Sequence, residues 1–264
     1  MTSGEVFPFG QPVREVTQVD RTQKRVFVLG VYASAVHARW VGTDNKTIVN
    51  ALAVASEPYI FWRGENAEAE AIIQKIAVPQ ELGKLVPANQ QYNGPSGVAL
   101  DDRILKPLGL SRADAWLCDL VPRSCVNPAQ RKAIEHAYLP VAKKHGLPTP
   151  TVSPVPLTLA DEKRRKAICD ELQESGASTL ILLGDKPIQW FLKHFDPRWK
   201  RLADFMRDGQ PYGQPCTTQI NGKQMEVLPL AHPRQIAKLG QSSPVWCNRH
   251  QIWASRYANR VLNS

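Results

Sequence analysis

Residues 24–32 read KRVFVLGVY, and the reading of that run decides the fold class. Its centre is apolar without alternation, the pattern of a strand covered on both faces. The run ends at Gly30, where a loop is expected to begin. Three later stretches repeat the pattern: AWLCDLVP at 115–122, STLILLG at 178–184 and QMEVLPLAHP at 224–233. Between them lie segments with helical spacing. Residues 66–76 form one. A second opens at Pro95 and runs through Leu105, with Ser96 as a possible N-cap; a third covers 128–145 and is closed by Gly146. Others run from Ala160 to about Glu174 and from near Pro187, and VWCNRHQIWASRYANRVL at 245–262 closes the chain. Strands that alternate with helices imply an α/β fold, here a three-layer α/β/α arrangement with a central parallel sheet.

Other segments carry less. IVNALAVASEPYIFWRG at 48–64 holds a further apolar stretch ending in a turn. Residues 77–95 are rich in Pro, Gln, Asn and Gly and read as a long loop. LPTPTVSPVPLT at 147–158 reads as a surface crossing within one domain. The expected organisation is an N-terminal arm at 1–23 and a single domain at 24–264. In open α/β sheets, ligands bind beyond the carboxyl ends of the strands. The loops after Gly30, Asp119 and His232 are the places to look.

The chain has 264 residues, with Lys and Arg outnumbering Asp and Glu 33 to 24, a net charge of +9. That surplus favours a polyanionic partner such as nucleic acid, or simply marks a basic soluble enzyme. No apolar run approaches the ~20 residues of a membrane helix. The first residues, MTSGEVFPFGQPVREV, lack the layout of a secretory signal, so a cytoplasmic protein is expected. Five scattered cysteines without a C-x-x-C pair argue against a disulfide framework and against zinc. Neither G-x-G-x-x-G nor a P-loop occurs, which weakens an unrelated nucleotide-binding α/β enzyme as an alternative.

Five pieces in order carry a resemblance: VFVLGVYASAVH at 26–37, PSGVALDDRILKPLGL at 95–110, WLCDLVP at 116–122, LILLGDKPIQWFL at 180–192 and LPLAHPRQI at 228–236. Together they resemble the uracil-DNA glycosylase superfamily, nearest to its bacterial and archaeal iron–sulfur branches. The resemblance implies a uracil-DNA glycosylase-like fold and an enzyme that flips a pyrimidine out of DNA and hydrolyses the bond to its sugar. It also implies a monomer acting on DNA without a membrane or a protein partner. The cluster cysteines of those branches are absent, so neither a metal nor a cofactor is expected.

Carried over residue by residue, the resemblance makes His232 the donor to the base's O2 as charge builds on the leaving group. Its bland alternative is a loop histidine beside a turn-forming Pro233. Ile236 falls where the family places an apolar wedge, although a loop isoleucine equally packs inward. Arg234 and Gln235 fall beside it as contacts to phosphate or to the orphaned base, and Ser96 matches a phosphate-gripping serine. Tyr32 stands where the best-known members carry an acidic or amide side chain that orients water. A phenol with a pKa near ~10 is a poor base, so His37, Asp101 and Asp102 also enter as candidates. Tyr32 and His37 join His232 in the expected catalytic set, while Gly30, Ser34 and Asp119 form the base-reading set.

Two of these residues bear on the base. Where thymine-rejecting members carry a bulky tyrosine, this chain has Ser34, which leaves room for a 5-substituent. Where uracil-specific members carry asparagine, it has Asp119. An ionised carboxylate only accepts hydrogen bonds and suits the exocyclic amine of cytosine. A protonated one would restore uracil reading but needs a strongly raised pKa. The expected substrate is a 5-modified cytosine of the sort found in phage DNA, which would make this a defence glycosylase. Uracil repair and a non-catalytic DNA-binding protein are the alternatives.

Overall fold

The structure is a computed structural model that describes residues 4–238 and 244–256. Its strands are β1 (Val26–Tyr32), β2 (Ala35–Val41), β3 (Thr47–Ser56), β4 (Lys84–Pro87), β5 (Ala115–Val121), β6 (Thr179–Leu183), β7 (Cys216–Ile220) and β8 (Lys223–Leu230). The described chain groups into two compact units where the sequence suggested an arm and one domain. One unit holds residues 1–16, 33–95 and 123–157; the other holds 17–32, 96–122 and 158–264.

The second unit is built on a five-stranded sheet in the order β5-β1-β6-β8-β7. The first four strands are parallel and β7 runs antiparallel to β8. Mixed α/β structure with a mostly parallel central sheet and flanking helices is therefore present. Every residue of β5 and β6 is buried, as the unbroken apolar runs require. The helix Glu162–Ser175 begins at Asp161, whose carboxylate accepts the Arg164 N–H at 2.8 Å, and packs on β5. It ends one residue before Gly176, in the left-handed region at φ 65°.

Helix Pro95–Leu100 continues through a π-helical turn at Asp101–Leu105 and a 3₁₀ turn at Lys106–Leu108. Ser96 is thus the second residue of the helix, not its N-cap. β1 also departs from expectation: it runs past Gly30 to Tyr32, which pairs with Val121. Gly30 is a mid-strand residue opposite Asp119. β7 went unread because CTTQI has no apolar run; it survives as an antiparallel edge with Thr217 and Gln219 outward.

The first unit carries the antiparallel sheet β3-β2-β4. β2 lies where a loop was expected. Its alternation puts Val36, Ala38 and Trp40 inside and leaves Arg39 outside. β4 lies inside the stretch 77–95 that read as one loop. The core gathers Phe9, Trp40, Trp62, Leu52, Val54 and Tyr138. Tyr138 is fully buried; its hydroxyl accepts the Phe9 N–H at 2.8 Å and donates to the Pro148 carbonyl at 3.0 Å. The helical stretch 128–145 is continuous, with a π-helical turn at Ile134–Tyr138. No helix among the described residues is long and apolar enough to cross a membrane.

Candidate active site

The parallel strands of the second unit deliver their carboxyl ends to one edge of the sheet, and four candidate features meet that edge. β1 brings Gly30 and Tyr32, β5 brings Asp119, β6 ends at Leu183, just before Gly184, and β8 leads through Ala231 into His232. With neighbouring strands about 4.8 Å apart, β5 and β8 lie about 14 Å apart across three steps.

Asp119 is 3 % exposed, and burial pushes its carboxyl up from 3.8 to about 7. The positive charge of Arg164 and the Val31 N–H that bonds the carboxylate pull in the opposite direction without cancelling burial. Arg164 spends its hydrogen bonds on the Asp119 carbonyl (2.7 Å), the Leu120 carbonyl (3.2 Å), Cys118 Sγ (3.1 Å) and Glu171 (3.2 Å), so it braces the strand instead of pairing with the Asp119 carboxylate. Near neutral pH both forms of Asp119 are populated. One only accepts hydrogen bonds; the other also donates.

His232 sits at the start of the short helix Pro233–Ile236. Its Nδ1 accepts the Arg234 backbone N–H at 3.2 Å, and its own N–H donates to Oε1 of Gln235, also at 3.2 Å. Burial, with the Arg234 charge second, pushes the ring down to about 4. The imidazole is therefore neutral at pH 7 with its proton on Nε2, the nitrogen that the Arg234 N–H does not engage. Gly184 shapes the seat: at φ 88°, a Cβ built on it would lie 3.1 Å from the His232 Cβ. Only glycine combines that backbone with that approach.

Of the flanking candidates, Gln235 uses its amide oxygen inside the loop and Arg234 is exposed. Ile236 is 1 % exposed and packs inward, the plainer of the two readings given for it, so it projects no wedge here. Its carbonyl accepts from the Arg103 Nη1 (2.8 Å) and the Cys247 thiol (3.3 Å).

The remaining candidates belong to the first unit. His37 is a residue of β2, not of a loop; its N–H and carbonyl are both held by the Asn93 side chain, at 2.8 and 2.9 Å. Ser34 donates its N–H to Glu57 Oε1 at 2.9 Å, and its carbonyl accepts from the Ser124 hydroxyl. The expected catalytic and base-reading sets are thus each drawn from both units. Of the two aspartates raised as water-orienting groups, Asp101 is bound by Arg112 at 2.8 Å and Asp102 is exposed.

Sequence reasoning missed Glu57, Tyr212 and His250. Glu57 is 4 % exposed and also receives the Trp62 N–H at 3.3 Å. Nothing in its local sequence distinguishes it from a surface glutamate. His250 is 2 % exposed. The signal was available: Cys247, His250 and Trp253 recur at three-residue steps on one face of helix Pro244–Arg256, and all three are buried. Tyr212 is 6 % exposed and lies against the His250 and Trp253 rings.

Among the described residues no group of three or more His, Cys, Asp or Glu is placed to hold a metal ion. The strand ends of the second unit thus hold a neutral imidazole at His232 and, at Asp119, a carboxyl raised to about 7. Compared with known proteins, the chain matches no family model and no curated sequence.

Proposed function

We propose that this protein is a monofunctional DNA N-glycosylase with a uracil-DNA glycosylase-like α/β/α fold, which flips a pyrimidine into the strand-end site and hydrolyses its N-glycosidic bond to leave an abasic site. The tautomer of His232 carries the reading. Cleavage leaves positive charge on the sugar and negative charge on the departing base, so the protein must donate to the base without supplying a mobile proton. A neutral imidazole whose Nδ1 is already occupied by the Arg234 N–H offers that donor through Nε2. Asp119 reads the far side of the base. Ionised, it accepts from the exocyclic amine of a cytosine; protonated, it donates to O4 of a uracil while its other oxygen accepts N3–H.

Tyr32 is assigned an orienting contact to the attacking water, since its phenol is too weak a base to remove a proton at neutral pH. The exposed guanidinium of Arg234, the Ser96 hydroxyl and the net charge of +9 serve the phosphate backbone. Ser34, small where the resembling enzymes are bulky, favours a base enlarged at position 5. The leading substrate is a 5-modified cytosine in phage DNA, handled by a cytoplasmic monomer without a cofactor. The raised carboxyl of Asp119 favours a second reading, uracil repair, which draws on the protonated form.

The test is base release from oligonucleotides carrying uracil, cytosine, 5-hydroxymethylcytosine or its glucosylated form. Wild type is compared with His232→Ala and Asp119→Asn. The expected result is release of a cytosine-type base, lowered about 10²–10³-fold in His232→Ala and lost in Asp119→Asn. Release of uracil alone replaces the modified-cytosine reading with repair. Salt-dependent binding with no release from any oligonucleotide overturns the enzyme in favour of a DNA-binding protein.

A further inference from the structure

We infer that Tyr212 and His250 are positioning residues, a buried hydrogen-bond chain that fastens both ends of the His232 loop and so holds the imidazole in its donor orientation. The inference rests on the reading of His232 as the donor to the leaving base.

The chain starts at Ala231, immediately before His232. The Ala231 N–H donates to the Tyr212 hydroxyl at 2.7 Å, and that oxygen lies 2.8 Å from Nδ1 of His250. Nε2 of His250 lies 2.7 Å from the Arg103 carbonyl. A carbonyl only accepts, so His250 carries its proton on Nε2 and its Nδ1 is an acceptor. The Tyr212 hydroxyl must then donate to Nδ1 while it accepts from Ala231. All the directions along the chain are fixed by this one carbonyl. Arg103 closes the circuit, since its guanidinium donates to the Ile236 carbonyl at 2.8 Å. Residues 231 and 236 are thereby tied to one frame, and His232 to Gln235 are the residues between them.

A purely packing role would not need this arrangement. Tyr212 and His250 are both buried, where each polar atom left without a partner is costly, and every one of them is used. The chain works only while His250 is neutral. A proton on Nδ1 would face the Tyr212 hydroxyl with a second donor, and the hydroxyl could then no longer donate along the chain. Burial keeps that proton off, pushing the ring down to about 4. The charged group acting on His250 is Arg103, and that acting on His232 is Arg234. The Trp253 ring, centred 4.9 Å from that of His250, fills the space beside it.

Tyr212→Phe removes the link to Ala231 and leaves its N–H unpaired. His250→Asn keeps an acceptor for the Tyr212 hydroxyl but loses the bond to the Arg103 carbonyl. The first readout is the ¹³C-detected NMR titration of the His232 ring, which does not depend on activity. In Tyr212→Phe the loosened ring gains water, and its pKa is expected to rise from about 4 towards the ordinary 6.5. The second is base release from whichever oligonucleotide wild type acts on: kcat is expected to fall about 10²-fold in Tyr212→Phe with KM unchanged, and to fall less in His250→Asn, which keeps an acceptor for the Tyr212 hydroxyl. The third uses wild type alone: the Ala231 amide should exchange with solvent as slowly as the amides of β8, so the inference remains testable even if Tyr212→Phe does not fold.

An unshifted His232 titration in folded Tyr212→Phe, or fast exchange at Ala231, overturns the inference whatever the activity. Absence of base release by wild type, with the titration shifted as expected, overturns the glycosylase reading and leaves the clamp standing.

Discussion

Exchanging Asp119 for asparagine removes a group that ionises near 3.8 in the unfolded chain and at about 7 in the folded one. Between those values the folded protein holds a proton that the unfolded chain has already released. Stability therefore falls as pH rises through that window, and above pH 7 the folded state carries a buried ionised carboxylate at full cost. At about 1.4 kcal/mol per pH unit, the gap corresponds to at most about 4 kcal/mol. Asparagine has nearly the same shape and never ionises. The substitution should be close to neutral at pH 4, stabilising at pH 6 and most stabilising at pH 8. Urea unfolding followed by tryptophan fluorescence at those three values measures it. The titration of His250 is common to both proteins and drops out of the difference. A wild-type–variant difference that is constant across pH, or a variant less stable than wild type at pH 8, would refute the argument that burial governs Asp119.

Further expectations follow from single contacts. Gly184→Ala puts a methyl 3.1 Å from the His232 Cβ on a backbone at φ 88°; it should cost about 1–3 kcal/mol and depress base release more than DNA binding. Thermal melts beside a filter-binding assay would separate those effects, and unchanged melting would count against a strained seat. Tyr138→Phe strands the Phe9 N–H in the first unit's core and should cost about 1–3 kcal/mol with the DNA-binding salt slope unchanged. Chemical denaturation reads the first quantity and titrations at several salt concentrations read the second.

The parallel sheet was legible because its strands are buried on both faces and so announce themselves as unbroken apolar runs: VFVL, AWLCDLV and TLILL each became a strand. The antiparallel strands were not, because their evidence is alternation diluted by short or polar side chains, as in AVHARWV and CTTQI. The helix end at Gly146 follows from left-handed backbone at the expected glycine, whereas the stop at Gly176, also left-handed, was not singled out. His232 was singled out as a candidate by the resemblance, through its Pro neighbour and the strand before it. Its tautomer was not, since that depends on where the Arg234 N–H points. Asp119 was singled out through the resemblance, at the place where uracil-specific members carry asparagine, whereas its raised carboxyl depends on burial, a property of the folded sheet. Tyr212 and His250 lie 38 residues apart and meet only in three dimensions, so no local pattern pairs them.

The division of the chain has a practical corollary for anyone cutting or splicing it. Each unit is assembled from three separate stretches, and the backbone alternates between them from 16 to 17, 32 to 33, 95 to 96, 122 to 123 and 157 to 158. Neither unit is a contiguous fragment, so no single truncation yields one without the other. A single proteolytic nick at any of these passages leaves intact backbone bridging the units elsewhere. Split reporters or circular permutants placed there would test the connectivity of the molecule without parting its halves.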